Sequence, residues 1–310
     1  MNNIVKNEII KLFYSKKLLS IVLITVTALV ILVLSLIFGS NDHEPSNWKK
    51  EIKAEAALLQ EEPQTKEVKN KLTEINLRLE HNIPPDGLDD ATYLLYDEIS
   101  DGIFMLLLMP IFIIIICGEM IIGETNDGTL KISISSPMGR IKVLISKMIA
   151  ALIVILGISI FYYLMIYLIY GINGRFGSLS TSTIIFLNEP TIIPIWLGII
   201  LGLITNILCI IGYIAMAFLL STILQNVIIL TVSIFACMLW NLLSPLLLPK
   251  VEWLSYFYIT NINLFTLING ESLSITLSYS FFTLIWVYII TTVIMLISSI
   301  VIFNKKDFPI

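Results

Sequence analysis

The sequence predicts an all-α integral membrane protein with six transmembrane helices, an N-terminal interfacial helix and a helical-hairpin insert between spans one and two. Three observations carry this. Hydrophobic residues make up 57% of the chain and the mean hydropathy is +0.91, well above the roughly 45–50% apolar usage of soluble domains. Charged residues are only 14%, and stretches such as Leu18–Phe38 and Ile103–Cys117 contain none. These apolar runs are continuous, not alternating. That favours helices over a closed barrel, the two structures that satisfy every backbone amide inside hydrocarbon.

Residues 1–17 carry Lys6, Lys11, Lys16 and Lys17 against one acid, Glu8. Val5, Ile9, Leu12 and Phe13 fall on one helical face, so this segment reads as an amphipathic helix lying in the membrane interface, or more simply as the basic flank of a span. Span one is 18–38. It is longer than the apolar core of a signal peptide and lacks a small-x-small cleavage site, so it is expected to stay as an anchor. Residues 39–102 break the pattern with fifteen acidic and seven basic residues, a net of −8, and both histidines. Trp48, Ile52, Ala56 and Leu59 form one apolar stripe; Val68, Leu72, Ile75 and Leu79 form another. Each stripe needs burial, and Glu61-Glu62-Pro63 separates them, so an antiparallel helical hairpin is expected. Pro84-Pro85-Asp86-Gly87 reads as a turn before a third helix that begins near Leu88 and runs into span two.

Span two is 103–122, with Pro110 expected to kink it and Glu119 about one turn from its end. Residues 123–147 form a polar loop. Span three is 148–170, followed by an external loop over 171–193 that is rich in glycine at its start. Span four is 194–224, where Gly198 and Gly202 make a GxxxG pattern suited to a close helix contact. Gln225-Asn226 is a short break before span five, 227–248. Residues 249–278 are aromatic and asparagine-rich, span six is 279–303, and 304–310 is a tail. If both termini face the cytoplasm, the short segments on that side hold ten lysines and arginines, against Arg175 and Lys250 on the other face. The acidic insert then faces outward, since long segments translocate largely regardless of charge.

Enzymatic chemistry is not expected. The nearest approach to a phosphate-binding loop, Gly118-x4-Gly123, is followed by Glu124, where the motif needs a lysine and a glutamate would repel phosphate. His43 and His81 have no HExxH or cysteine partners, and Cys117, Cys209 and Cys237 lie in separate apolar runs, so no metal or disulfide is expected. No GxSxG and no basic-aromatic nucleic-acid pattern is present. Beyond Glu119, the six spans as drawn contain no ionisable group of the kind ion-coupled transporters use. The chain reads as a mover whose energy arrives from elsewhere.

Residues 119–147 carry a resemblance. Glu124, Gly128-Thr129-Leu130, Ser136-Pro137, Arg140 and Lys147 follow the pattern of the first cytoplasmic loop of ABC-2 type permeases, the membrane subunits of a class of ABC exporters. The basic helix before span one, the six spans and the ending Phe303-Asn304-Lys305-Lys306-Asp307 are also similar to that family; the long acidic insert departs from it. The resemblance implies a bacterial plasma-membrane subunit that works as a dimer with a second permease chain. It further implies a separate cytoplasmic ATP-binding subunit that carries the ATP and Mg, with no cofactor in this chain. The loop is then a short coupling helix, bounded by Gly128 and Pro137 and docked in the ATPase. Glu119 and Glu124 are expected to anchor it by pairing with Arg140, Lys147 or the N-terminal helix. Residues 249–278 are implied to form re-entrant helices. Outward movement of an amphipathic or hydrophobic cargo, such as a peptide antibiotic or drug, is the implied activity. Two rivals stand beside it: a sensor or immunity protein whose hairpin binds an external ligand, and an ion-coupled secondary transporter.

Overall fold

Apolar runs of this length fold as helices because nothing else satisfies their amides in lipid, and the helices set the architecture. The structure, a computed structural model, describes residues 2–38, 48–61, 66–83, 90–102, 104–130, 139–173, 176–186, 189–224, 226–247, 256, 258–261, 264 and 281–306. Most of the expected re-entrant segment, the turn at 84–87 and the tail end beyond Lys306 lie outside the described residues.

Helix α1 (Asn2–Tyr14) ends at Ser15, whose hydroxyl and amide both donate to the Leu12 carbonyl, at 2.8 and 3.2 Å; α2 (Lys16–Phe38) follows at once. The acidic segment contains α3 (Trp48–Glu61) and α4 (Lys66–His81), which pack on each other. Ile52, Val68 and Ile75, all from the two apolar stripes, are buried. Asn82 ends α4 in the left-handed region (φ 56°), and Ile83 N–H reaches back to the Arg78 carbonyl at 2.9 Å, a closed C-terminal turn. Ile83 then packs against Ile184 of the next substructure.

That substructure corrects the all-α expectation for the loop over 171–193. Strands β1 (Ser182–Phe186) and β2 (Pro190–Pro194) pair antiparallel, Ile184 opposite Ile192. Both carry a Thr-Ile-Ile core, and β-branched residues between turn-formers suit a pleated, half-buried ribbon.

Helix α5 (Ala91–Asp101) starts on Asp90, whose side chain accepts from Tyr93 N–H at 2.8 Å. Gly102 is extended (ψ 158°), and the chain restarts as a π-helical turn, Phe104–Leu108, then α6 (Met109–Gly118), a second π-helical turn, Glu119–Gly123, and α7 (Glu124–Asn126). Pro110 stands at the start of α6, where its missing N–H does least harm; the distortion expected of it coincides with the π turn just before it. The remaining helices are α8 (Arg140–Asn173), α9 (Ile195–Leu224), α10 (Val227–Leu247) and α11 (Phe281–Lys305).

Among the described residues five helical runs are long and apolar enough to cross a membrane: Lys16–Leu34, Ala91–Asn126, Arg140–Ile172, Ile195–Leu224 and Phe282–Lys305. The fifth expected span coincides with the 21-residue α10, whose described apolar stretch is the shorter Val227–Trp240. The apolar 18-residue stretches within the second and fourth runs are 72% and 61% buried, those within the first and last only 17%. The core is therefore built around α6 and α9, with α2 and α11 on its rim. Gly198 allows one of these contacts: a Cβ there would meet the Tyr96 ring of α5 at 2.7 Å.

Two helices run past the span limits read from the sequence, and each takes charged residues with it. The helical run that contains the second expected span reaches back to Ala91, so it takes in Asp97, Glu98 and Asp101, which precede the span as read from the sequence. Helix α8 begins at Arg140, so Lys147 is not loop but a fully buried helical residue, 0% exposed.

Candidate functional site

Helix α1 packs against the start of α8. Its lysines stay outside, while Glu8 and Leu12, one turn apart, turn inward and are both 5% exposed. A carboxylate buried alone is strongly unfavourable, so it needs a cation. Lys147 supplies it: Lys147 Nζ donates to Glu8 Oε2 at 2.9 Å. The same ammonium lies 2.8 Å from Glu124 Oε2, an ion contact whose angle departs from hydrogen-bond geometry. Lys11 completes the group, 3.4 Å from both Glu8 Oε1 and Glu124 Oε1. Two acids and two lysines thus neutralise one another where α1, α7 and α8 meet. Burial opposes the charge on Lys11, but Glu124 and Glu8 outweigh it and hold its pKa above the ordinary 10.5. Beside this group Lys17, at the start of α2, pairs with Glu119 in the second π turn.

The polar loop leaves from this cluster. Asp127 N–H bonds the Gly123 carbonyl at 3.0 Å and Gly128 N–H bonds the Thr125 carbonyl at 3.2 Å. Gly128 then turns at φ +70° with open space around its Cα, a conformation that suits glycine. The Thr129 hydroxyl reaches the Glu124 carbonyl at 3.4 Å, and Leu130 is plugged into the core, 1% exposed. Ser136 and Pro137 lie outside the described residues. At the far side Gly139 also has positive φ (+80°), and α8 follows. Both described ends of the loop are therefore pinned, one by Leu130 and Glu124, the other by α8.

Arg140 departs from its expected acid partner. Its guanidinium donates to the Asn304 and Lys306 carbonyls, at 3.2 and 3.1 Å, and so caps the C-terminus of α11. Lys306 in turn donates to the Thr222 carbonyl, and to that of Ile223 at 3.5 Å, capping α9; burial pushes its pKa below 10.5. Positive side chains at helix C-termini also complement the helix dipole.

Of the residues singled out in the sequence, the structure brings together Glu124 and Lys147, sets Gly128, Thr129 and Leu130 directly after them, and places Glu119 one turn away. Pairing of Glu119 and Glu124 with the N-terminal segment is expected from the sequence, but Lys11 and Lys17 as the partners, and Glu8 as a member of the group, are not; the available signal is a lone acid at the apolar edge of a lysine-rich helix. Among the described residues no cluster of His, Cys, Asp or Glu could hold a metal.

Comparison with known proteins gives the arrangement a context. The family model described as "ABC-2 family transporter protein" matches residues 2–308. The uncharacterized protein YhcI of Bacillus subtilis is 26% identical over 275 residues, covering 84% of this chain and 85% of that protein.

Proposed function

Because this chain belongs to the ABC-2 family of transporter proteins, a family of membrane components that normally work with a partner ATP-binding subunit, we propose that it is the permease subunit of an exporter. In this reading it is a multi-pass protein of the bacterial plasma membrane with six spans, α10 being the fifth, and with both termini cytoplasmic. It pairs with a second permease chain, the same or related. ATP and Mg reside on the ATPase, and the segment over 123–147 docks against it.

One observation carries the coupling role: the buried Lys147 joins Glu8 of the interfacial helix to Glu124 at the head of the loop. A loop can transmit force only if its flanks are fixed. The ion group ties α1, the end of the second span and the base of α8 into one block, so pressure on the loop moves them together. An amphipathic or hydrophobic cargo fits the composition of the walls. An apolar cleft of about 600 Å³ between α1, α2 and α8, lined by Phe13, Ile21, Val22, Val154 and Phe161 among others, has the right character for it.

The test is replacement of Gly128-Thr129-Leu130 by charged residues. The expected result is loss of ATPase co-purification and of ATP-dependent efflux, with the chain still inserted in the membrane. Unchanged association and efflux would remove the coupling assignment. A sensor or immunity role predicts instead that charge reversal in residues 47–80 abolishes signalling while no ATPase co-purifies. Glu98, an acid within the second apolar helical run, is the one observation favouring ion-coupled transport; flux in vesicles driven by an ion gradient without any ATPase would establish that alternative.

A further inference from the structure

At the opposite end of the bundle, α5 stops at Gly102 and the chain restarts at Phe104. Glu98 sits at this break. Its carboxylate folds back against Gly102, where any Cβ would collide with it. Oε1 accepts from the Tyr162 hydroxyl at 3.1 Å and from Phe104 N–H at 3.4 Å. Aromatic rings form the wall: Phe104 stacks on Tyr162 with centroids 4.7 Å apart and meets Tyr163 edge-on at 5.4 Å. Next to them Asn206, 3% exposed, donates to the Tyr163 hydroxyl at 2.9 Å and the Ile99 carbonyl at 3.1 Å. Its own oxygen, Oδ1, is buried with no hydrogen-bond partner.

Among the described residues no lysine or arginine lies within ion-pair distance of Glu98. An acid inside a span is costly and ordinarily pairs or serves a ligand. Capping Phe104 does not account for it, because a neutral glutamine would accept the same bond. A broken helix in the apolar zone is also where transported ligands are typically held. A hard inorganic cation wants about six oxygens, more than this wall supplies. A single carboxylate beside aromatic rings suits an organic cation, through charge and ring-face attraction.

We propose that Glu98, with Tyr162, Phe104 and the orphan oxygen of Asn206, binds the positive group of an amphipathic organic cation on the cargo path. This rests on the transport reading for its purpose, but not for its test. The partly exposed carboxylate is the point of arrival, and the buried rings of Phe104 and Tyr162 back it on the protein side.

The experiment is equilibrium dialysis of tetraphenylphosphonium against the purified full-length chain in detergent, with uncharged triphenylphosphine oxide as the matched control. Saturable binding of the cation is expected, weakened at least about tenfold by Glu98→Gln and about threefold by Tyr162→Phe, while the oxide shows no dependence on Glu98. Glu98→Gln keeps the acceptor for Phe104 N–H, so an unchanged unfolding temperature separates lost binding from lost fold. Equal affinity in wild type and Glu98→Gln would overturn the site, and stoichiometric displacement by sodium would overturn its assignment to an organic cation. The dialysis needs no ATPase, so retained binding alongside absent ATP-driven efflux in vesicles that also contain the partner ATPase would count against the exporter reading and not against the site.

Discussion

The two ends of the bundle handle their acidic residues in opposite ways. Where α1, α7 and α8 meet, Glu8 and Glu124 share Lys147 and Lys11, and Lys17 answers Glu119. At the other end Glu98 leans on a tyrosine hydroxyl and a backbone amide, with no cation beside it among the described residues. A neutralised cluster holds helices together, because separating its parts strands charges in a poor solvent. An acid left without a counter-ion contributes little to cohesion and retains its attraction for something that arrives. The same residue type is mortar at one end and receptor at the other, and the partner decides which.

The largest effect expected to break this contrast is at Lys147. Lys147→Met leaves Glu8 and Glu124 sharing the exposed Lys11 alone of the group, and full-length protein in detergent should lose about 3–5 kcal/mol of stability, read as a lower unfolding temperature. The triple variant Glu8→Gln, Glu124→Gln, Lys147→Met should recover most of that loss, since an apolar replacement of a whole buried ion group is close to neutral. A small effect of the single variant would mean the cluster is not what joins these helices. Gly198→Ala probes the opposite end, where packing replaces charge: the added methyl meets Tyr96 at 2.7 Å, and overpacking should cost about 1–3 kcal/mol. Its effect should not change with salt.

Arg140→Gln removes the charged cap on α11. About 0.5–1.5 kcal/mol should be lost, seen as faster amide exchange over residues 300–306 with the rest of the bundle unchanged. The smallest effect is at Lys11. Its folded pKa lies above 10.5, so its stabilising contribution is complete below that pH and fades as pH rises through the folded value. Stability between pH 10 and 12 should fall less steeply in Lys11→Met than in wild type; identical slopes would mean the lysine is not held by Glu8 and Glu124.

Much of the helical architecture could be read from uninterrupted apolar runs. Leu18–Phe38 and the stretch from Pro194 to Leu224 lie within two residues of α2 and α9 at each end because hydrophobicity and helix length both follow from bilayer thickness. The β-hairpin was not legible, since two five-residue strands in a loop give too short a pattern for the alternation to register. The loop residues Glu124, Gly128, Thr129 and Leu130 were found through a pattern of residues, but their anchor was only half seen. Glu8 is distant in sequence from Lys147, and a span boundary drawn by hydropathy stops at the charge it should include. Glu98 was hidden for a related reason: the span read from hydropathy starts at 103, after Asp101, while the helical run that contains it starts at Ala91.

Helix α8 carries a mechanical consequence. Lys147 of the neutral cluster and Tyr162 of the aromatic wall ride on one uninterrupted rod of 34 residues, roughly 22 Å apart along its axis at about 1.5 Å per residue. Tilting that rod by about 5° around its lower fixture would swing the upper station sideways by about 2 Å, enough to draw a phenol away from a carboxylate it now touches. A push delivered at one face of the membrane would then loosen a grip at the other with no relay of intervening side chains.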